Sequence, residues 1–302
     1  MNVTISAYEL QQLIYAGSVS LVDVRLPEDF ACCRIAGAGN ACVYEMVFLD
    51  RIAECVPNPE RVVVVYDGSG STQAAWSAKE KLERAGYCNV VILAGGLQGW
   101  LATGFAVEQL TLPPPPLIVR DGIYPLDTEK SVVEWIGRNI NNRHYGRIKL
   151  SGGEVVLSKE LPVSGRFVME MDSITNLDLQ DEGWRGMLHR HLKSDDFFDV
   201  ERYPTATFEL SGAVAIAGAT SGTPNVEITG ELTIKGTTLP LRFPAIIAVQ
   251  EDGTIKAQGA VDIDRTLWNV CYGSGRLYER LGIHLVNDLI SIELFIVTLQ
   301  PT

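Results

Sequence analysis

Basic residues are few in this sequence relative to acidic ones. The 302 residues include 25 lysines and arginines against 37 aspartates and glutamates, for a formal net charge of −12. Nucleic acids and anionic membrane surfaces are bound through a basic footprint. The charge balance therefore argues against both as partners.

Cysteine and histidine are also scarce. The six cysteines are irregularly spaced and form no CxxC pair, which argues against a disulfide framework and against a zinc site. Of the four histidines, His189 and His191 are two residues apart, a spacing that does not share one helix face. Without a third ligand at a fitting spacing, we expect neither a metal site nor a cofactor.

Long apolar runs are missing as well. No uninterrupted apolar stretch has the length needed to cross a bilayer. The first residues lack the basic segment and apolar run of a secretory signal. We therefore expect no membrane span and a cytoplasmic location.

A proline run divides the chain. Residues 113–116 are four consecutive prolines, which suit neither a helix nor a strand interior and favour a stiff spacer. Before the run, strand and helix patterns alternate, whereas after it period-2 patterns dominate. We predict an α/β domain over 1–111, a proline linker over 112–117 and an all-β domain over 118–302.

The first domain has the pattern of a parallel-sheet α/β fold. Residues 20–24, 61–66 and 90–93 are short apolar runs, as in buried parallel strands. Between the last two, Ala74, Ala75, Ala78 and Leu82 follow at helical spacing before Gly86. A loop with two glycines joins strand to helix, and open α/β sheets place their sites in such loops.

Three motifs in this domain resemble those of rhodanese-like domains. They are LVDVRLPEDF at 21–30, IAGAGN at 35–40 and LAGGLQGW at 93–100, within a match over 3–108. Rhodanese-like enzymes carry sulfur on a cysteine that begins the loop after the central strand. The resemblance places Asp67 at that cysteine, in a degenerate loop formed by Asp67, Gly68, Ser69, Gly70, Ser71 and Thr72.

The aspartate implies that this domain has lost catalysis. A carboxylate cannot carry sulfane sulfur, and the loop's two usual arginines are here Gly68 and Thr72. Two roles are open for Asp67. It either serves as an internal anion among the amides of the loop and helix N-terminus, or it is an ordinary turn or capping residue.

The second domain alternates apolar and polar residues over many strands. Such a pattern in under 200 residues is typical of a sandwich or a closed barrel. Polar partners such as Glu227 and Glu231 prefer water, so the apolar set should face inward. The residues expected to line a ligand cavity are Phe167, Met169, Met171, Val226, Ile228, Leu232, Ile234, Leu241, Phe243 and Ile247.

This half of the chain resembles the YceI-like family over residues 122–300. The motifs that carry the resemblance are DTEKSVVEW at 127–135, HLKSDDFFDV at 191–200, YPTATF at 203–208, GELTIKGTT at 230–238 and IDRT at 263–266. The resemblance implies a lipocalin-like antiparallel β-barrel that encloses an isoprenoid-type chain. His191 matches the family's histidine, for which we expect a rim or structural role. Phe197 and Phe198 are expected to pack in the core or at the barrel's closed end, and Arg265 to form a structural ion pair with Asp264 at a strand end.

Three classes of function follow. The leading hypothesis is a non-enzymatic carrier whose barrel holds a long apolar molecule of polyisoprenoid or quinone type. Its rhodanese-like domain would be an interaction or regulatory module with a protein partner, and a homodimer is left open. The alternatives are a sulfurtransferase or redox enzyme that uses a non-standard residue, and a purely structural pair of modules.

Overall fold

The structure, a computed structural model, describes residues 3–112 and 117–302. The chain divides into two compact units, Met1–Pro115 and Pro116–Thr302. Most of the predicted proline linker, residues 113–116, lies outside the described residues. Each unit is described by itself below.

The first unit is a parallel α/β sheet. Its strands are β1 (Thr4–Ile5), β2 (Val19–Asp23), β3 (Arg34–Ile35), β4 (Gly39–Asn40), β5 (Val62–Tyr66), β6 (Val90–Leu93) and β7 (Val107–Glu108). Its helices are α1 (Ala7–Tyr15), α2 (Pro27–Cys32), α3 (Phe48–Cys55), α4 (Ala74–Arg84) and α5 (Gly96–Ala102). Five strands pair in parallel in the order β1-β6-β5-β2-β4, and β3 pairs with β7 in a separate antiparallel ribbon.

The apolar central strand β5 is buried on both faces, as predicted. Val63 and Val65 belong to one core, and Val64 and Tyr66 belong to the core on the other face. Alternate side chains of a strand point to opposite faces, so one apolar run serves both layers. Helix α4 buries the four apolar residues predicted to face the core.

The second unit is a closed antiparallel barrel. Its strands are β8 (Gly122–Pro125), β9 (Val132–Arg138), β10 (Arg143–Ser158), β11 (Leu161–Glu170), β12 (Thr205–Ala215), β13 (Val226–Ile234), β14 (Thr237–Val249), β15 (Ile255–Asp264) and β16 (Leu289–Val297). From β9 to β16 each strand pairs with the next, and β16 pairs back with β9. The eight strands therefore close without an open edge, and β8 adds to the far half of β10. The predicted fold class, α/β followed by a lipocalin-like barrel, is confirmed.

Helix α6 (Glu182–Lys193) lies between β11 and β12 in the chain. It begins at Asp181, whose carboxylate accepts a hydrogen bond from the Trp184 amide at 2.9 Å, as is usual for an N-cap residue. Leu192 of α6 packs in one cluster with Trp135 of β9 and Phe197 of the turn that follows the helix. The helix thereby contributes to one end of the barrel interior.

Candidate functional site

The barrel encloses a cavity of about 400 Å³, within the range of about 300–1,000 Å³ that is usual for small-molecule sites. Most of its lining is aliphatic or aromatic. Of the predicted ligand-facing residues, the structure places these in the lining: Phe167, Met169, Met171, Ile228, Leu232, Ile234, Leu241, Phe243 and Ile247. Val226, the first residue of β13, is buried but does not line the cavity.

The predicted residues come from neighbouring strands and meet inside the barrel. The ring centroids of Phe167 and Phe208 lie 6.2 Å apart, and those of Phe208 and Phe243 lie 5.8 Å apart. Met171 was predicted to continue the strand face, but β11 ends at Glu170 and Met171 begins a short 3-10 turn. It still lines the cavity, because the turn keeps its side chain in the interior, where 3% of the residue is exposed.

Sequence reasoning missed the lining residues supplied by β9 and β10. Trp135, Ile148 and Leu150 line the cavity, and Trp135 donates from Nε1 to the carbonyl oxygen of Thr175 at 3.0 Å. The alternation of Ile148 and Leu150 in the sequence was a usable signal. Their strand is rich in glycine and charge, which weakened it.

One part of the lining is polar. The hairpin between β9 and β10 contributes Arg138, Asn139, Asn142 and His144. Arg138 donates from Nη1 to Ser291 Oγ at 2.8 Å, while the side-chain oxygen of Asn139 accepts from the Asn142 amide at 2.7 Å. We call these four residues the polar mouth.

His144 of the polar mouth is paired with Asp178. Its Nδ1 lies 2.8 Å from Oδ2 of Asp178, and Oδ1 of the same carboxylate accepts from the Tyr145 amide at 2.9 Å and from Asn176 Nδ2 at 2.5 Å. Burial raises the pKa of Asp178, but these hydrogen bonds outweigh burial and hold that pKa below its ordinary value. Asp178 therefore stays an anion that fixes the imidazole.

The predicted rim residues also lie at the cavity. His191, Phe197, Phe198 and Arg265 are all in the lining. The His191 ring stands edge-on to Phe197 at 4.9 Å and to Tyr272 at 4.4 Å between centroids. Such edge-to-face contacts hold the imidazole in an aromatic surround, so His191 is positioned by packing.

Arg265 is a buried structural cation, and its predicted pairing with Asp264 is wrong. With 2% of its surface exposed, it donates to the carbonyl oxygens of Val270 at 2.5 Å, Asn287 at 3.0 Å and Val286 at 3.1 Å. Burial lowers the pKa of its guanidinium. Asp264 instead accepts from Arg276 at 2.5 Å, and Nη2 of Arg265 lies 3.8 Å from a carboxylate oxygen of Asp288.

His189 and His191 lie on helix α6 and have separate surroundings, as their spacing predicted. Nε2 of His189 accepts a hydrogen bond from the Asn176 amide at 2.8 Å. Burial and the nearby cations Lys193 and Arg185 lower the pKa of His189, which keeps its Nε2 an acceptor. Within residues 3–112 and 117–302, no three or more His, Cys, Asp or Glu side chains group together as metal ligands would.

The carboxylate of Asp67 is hydrogen-bonded by residues of its own loop. Asp67 has 2% of its surface exposed, and its carboxylate accepts from the Gly70 amide and from the Thr72 hydroxyl, each at 2.5 Å. Ser69 and Ser71 join their hydroxyls at 2.6 Å. One amide and one hydroxyl on the carboxylate fit a side-chain turn as well as an internal anion.

Residues 67–72 form a compact loop between β5 and α4. Gly70, with φ +69°, leaves no room for a side chain, since a Cβ there would lie 2.6 Å from the Gly95 nitrogen. The loop thus packs closely against the LAGGLQGW segment, which supplies the Leu97 amide to the Asp67 carbonyl at 2.8 Å. This contact fixes the loop's shape.

The second unit has the architecture of small lipocalin-like barrels, whose interiors hold side chains or one slender ligand. The chain belongs to the YceI-like family: the profile of the YceI-like domain matches residues 124–298. The rhodanese-like domain profile matches residues 6–103. The chain therefore carries both domains in tandem, as the sequence motifs predicted.

Curated relatives match only a short segment. A UPF0312 protein of Pseudomonas putida strain W619 is 39% identical over 56 residues, which is 18% of this chain and 27% of the relative. A UPF0312 protein of Azotobacter vinelandii strain DJ is 38% identical over 56 residues, which is again 18% of this chain and 27% of the relative. The chain thus spans about a quarter of the length of the curated relatives that it matches.

Solved structures resemble each type of domain. Burkholderia cenocepacia BcnA is 28% identical with a TM-score of 0.46, covering 57% of this chain and 98% of that one. A polyisoprenoid binding domain from Saccharophagus degradans, implicated in plant cell wall breakdown, is 14% identical with a TM-score of 0.45, covering 60% and 100%. The rhodanese-like domain of Anabaena Alr3790 is 23% identical with a TM-score of 0.32, covering 40% and 94%.

Across residues 3–112 and 117–302, none of the helices combines the length and the apolar character that crossing a membrane requires.

Proposed function

We propose that the barrel binds and carries a long apolar molecule of polyisoprenoid or quinone type. The observation that carries the proposal is the cavity of about 400 Å³ with its largely apolar lining. Burying a hydrocarbon chain there is favourable by about 0.8 kcal/mol per methylene. The family resemblance supports an isoprenoid-like chain as the occupant.

The chemistry of the lining favours binding over catalysis. Most of the interior away from the polar mouth is formed by apolar side chains such as Phe167, Ile228 and Phe243, which can neither transfer a proton nor attack a substrate. Methionines such as Met169 adapt to irregular shapes, which suits a flexible chain. A carrier needs only these properties.

Extraction of the purified full-length protein tests this proposal. Mass spectrometry of an organic extract should detect a long-chain apolar molecule near one equivalent per chain, and the Ile228→Trp variant purified in parallel should contain less. If the extract is empty and the wild type binds no added polyprenyl compound, the proposal fails. A purely structural pair of modules would then be the better description.

We propose that the rhodanese-like domain is a non-catalytic interaction or regulatory module. Asp67 stands where the resemblance places the sulfur-carrying cysteine, and its carboxylate is engaged by Gly70 and Thr72. A carboxylate held in this way has no sulfur to transfer. The alternative, sulfur or redox chemistry through a non-standard residue, would have to use some other group.

An assay of cyanide-dependent thiocyanate formation from thiosulfate distinguishes a non-catalytic module from a sulfurtransferase. We expect no turnover above the uncatalysed rate for the wild type, and no difference between it and the Asp67→Ala variant. Turnover in the wild type that disappears in Asp67→Ala would overturn the non-catalytic assignment. An active rhodanese assayed in parallel serves as the positive control.

We also propose the domain limits predicted from the sequence, which are 1–111 and 118–302 around the linker 112–117. A cytoplasmic location, a protein partner and a homodimer stay proposals as well. The two compact units support the domain limits. Each unit has its own apolar clusters, as an independently folding domain requires.

A further inference from the structure

The hydrogen bonds of His144 determine which of its nitrogens is left for a ligand. An ionised carboxylate can only accept hydrogen bonds, so Nδ1 of His144 carries the proton that is shared with Asp178 at 2.8 Å. In the neutral ring, Nε2 is then an acceptor. Within the described part of the chain, Nε2 of His144 has no hydrogen-bond partner.

We propose that Nε2 of His144 accepts a hydrogen bond from a hydroxyl group at the end of the bound molecule. The barrel would thereby select long-chain alcohols, phenols or quinols over hydrocarbons and ethers with the same chain. This inference rests on the proposed carrier function and adds the headgroup class to it. Asp178 is the positioning residue, because it acts on the ligand only through His144.

The surroundings of His144 support an oriented acceptor. The imidazole lines the cavity with 32% of its side chain exposed, so it is open to a ligand without being freely solvated. Asp178 is itself held by the Tyr145 amide and by Asn176. Two successive layers of hydrogen bonds therefore fix the ring, as at sites where a histidine must present one chosen nitrogen.

A phosphorylated headgroup fits this site less well. Phosphate recognition commonly uses arginine forks, but each nitrogen of Arg265 already donates to a backbone carbonyl oxygen, and the Asp288 carboxylate lies 3.8 Å from its Nη2. Arg138 is the arginine left in the polar mouth, with Nη1 on Ser291. The net charge of −12 also opposes an anion.

Binding of farnesol and of farnesyl methyl ether tests the selection. The two molecules share one chain, but the ether cannot donate a hydrogen bond. We expect the wild type to bind the alcohol about fivefold to tenfold more tightly, the usual effect of one hydrogen bond. The His144→Phe variant should bind both with equal affinity, while Tyr272→Phe, which removes another hydroxyl from the lining, should keep the preference.

Because each variant is judged by the ratio of two affinities, a general loss of stability does not imitate the result. The Asp178→Asn variant adds a second measurement, the tautomer of His144, which a purely packing role of Asp178 would leave unchanged. With only four histidines, the ¹⁵N NMR signals of the rings can be assigned one by one. We expect His144 to be the Nδ1–H tautomer in the wild type and to lose that single form in Asp178→Asn.

The outcomes separate this inference from the carrier function. Equal binding of alcohol and ether by the wild type, or a preference that persists in His144→Phe, overturns the headgroup inference and leaves the carrier function standing. Tighter binding of farnesyl monophosphate than of farnesol overturns it in favour of an anionic headgroup. If neither the alcohol nor the ether binds and the organic extract of the purified protein is also empty, the carrier function itself is wrong.

Discussion

The Ile228→Trp variant is expected to fold and to lose most of its affinity for long-chain ligands. Ile228 is the third residue of β13 and pairs with Ala213 and Phe243 on the neighbouring strands. It is 5% exposed and lines the cavity. An indole there would fill space that the ligand needs. Displacing three methylenes would cost about 2.4 kcal/mol, or roughly fiftyfold in Kd.

Stability measured on the same variant tests whether the barrel is hollow. Overpacking a solid core costs about 1–3 kcal/mol, whereas filling a void costs less. The matched control is Glu231→Trp on the same strand, because Glu231 is exposed and an indole there does not enter the cavity. Urea unfolding and farnesol titration give both quantities. Strong destabilisation of Ile228→Trp without any ligand binding by the wild type would mean a solid barrel.

The barrel interior was largely predictable from the sequence because a strand has a fixed period of two. Alternation of Leu232 with Ile234, or of Leu241 with Phe243, identifies the inward face. Alternation cannot say how far along the barrel a residue lies, and Val226 therefore belonged to the predicted face without lining the cavity. Depth depends on strand pairing and stagger, which the sequence pattern does not report.

The polar mouth was not predicted. His144 and Asp178 are 34 residues apart, and their contact depends on a segment that leaves the barrel after β11 and returns beside β10. Thr175 and Arg147 exchange two backbone hydrogen bonds there, at 2.9 and 3.2 Å. Nothing in the local pattern around Asp178 indicates this pairing.

One residue in the sequence is a signal of this contact. Gly146 lies inside β10, and a glycine inside a strand often marks a place where another backbone approaches closely. In the structure a Cβ on Gly146 would lie 1.6 Å from the carbonyl oxygen of Thr175. The glycine is therefore what admits the returning segment, and that segment carries Asp178.

The Gly146→Ala variant is accordingly expected to lose both stability and headgroup selection. The added Cβ would also lie 2.6 Å from the Thr175 carbonyl carbon and 3.0 Å from Asn176 Cα. These atoms are backbone, so the segment has to move away from β10. Its hydrogen bonds to Arg147 and Tyr145 would lengthen or break. We expect a loss on the order of 3 kcal/mol in the free energy of unfolding.

Gly152→Ala is the control on the same strand, because a Cβ at Gly152 meets nothing within 4 Å. Its free energy of unfolding should change by less than about 1 kcal/mol. In Gly146→Ala the displaced segment also draws Asp178 away from His144. The ratio of farnesol affinity to farnesyl methyl ether affinity should therefore fall towards one, while Gly152→Ala keeps the wild-type ratio.

Equal stability of the two variants would show that the returning segment is not held against β10. Full stability loss with an unchanged ratio would show that the orientation of His144 does not depend on that segment.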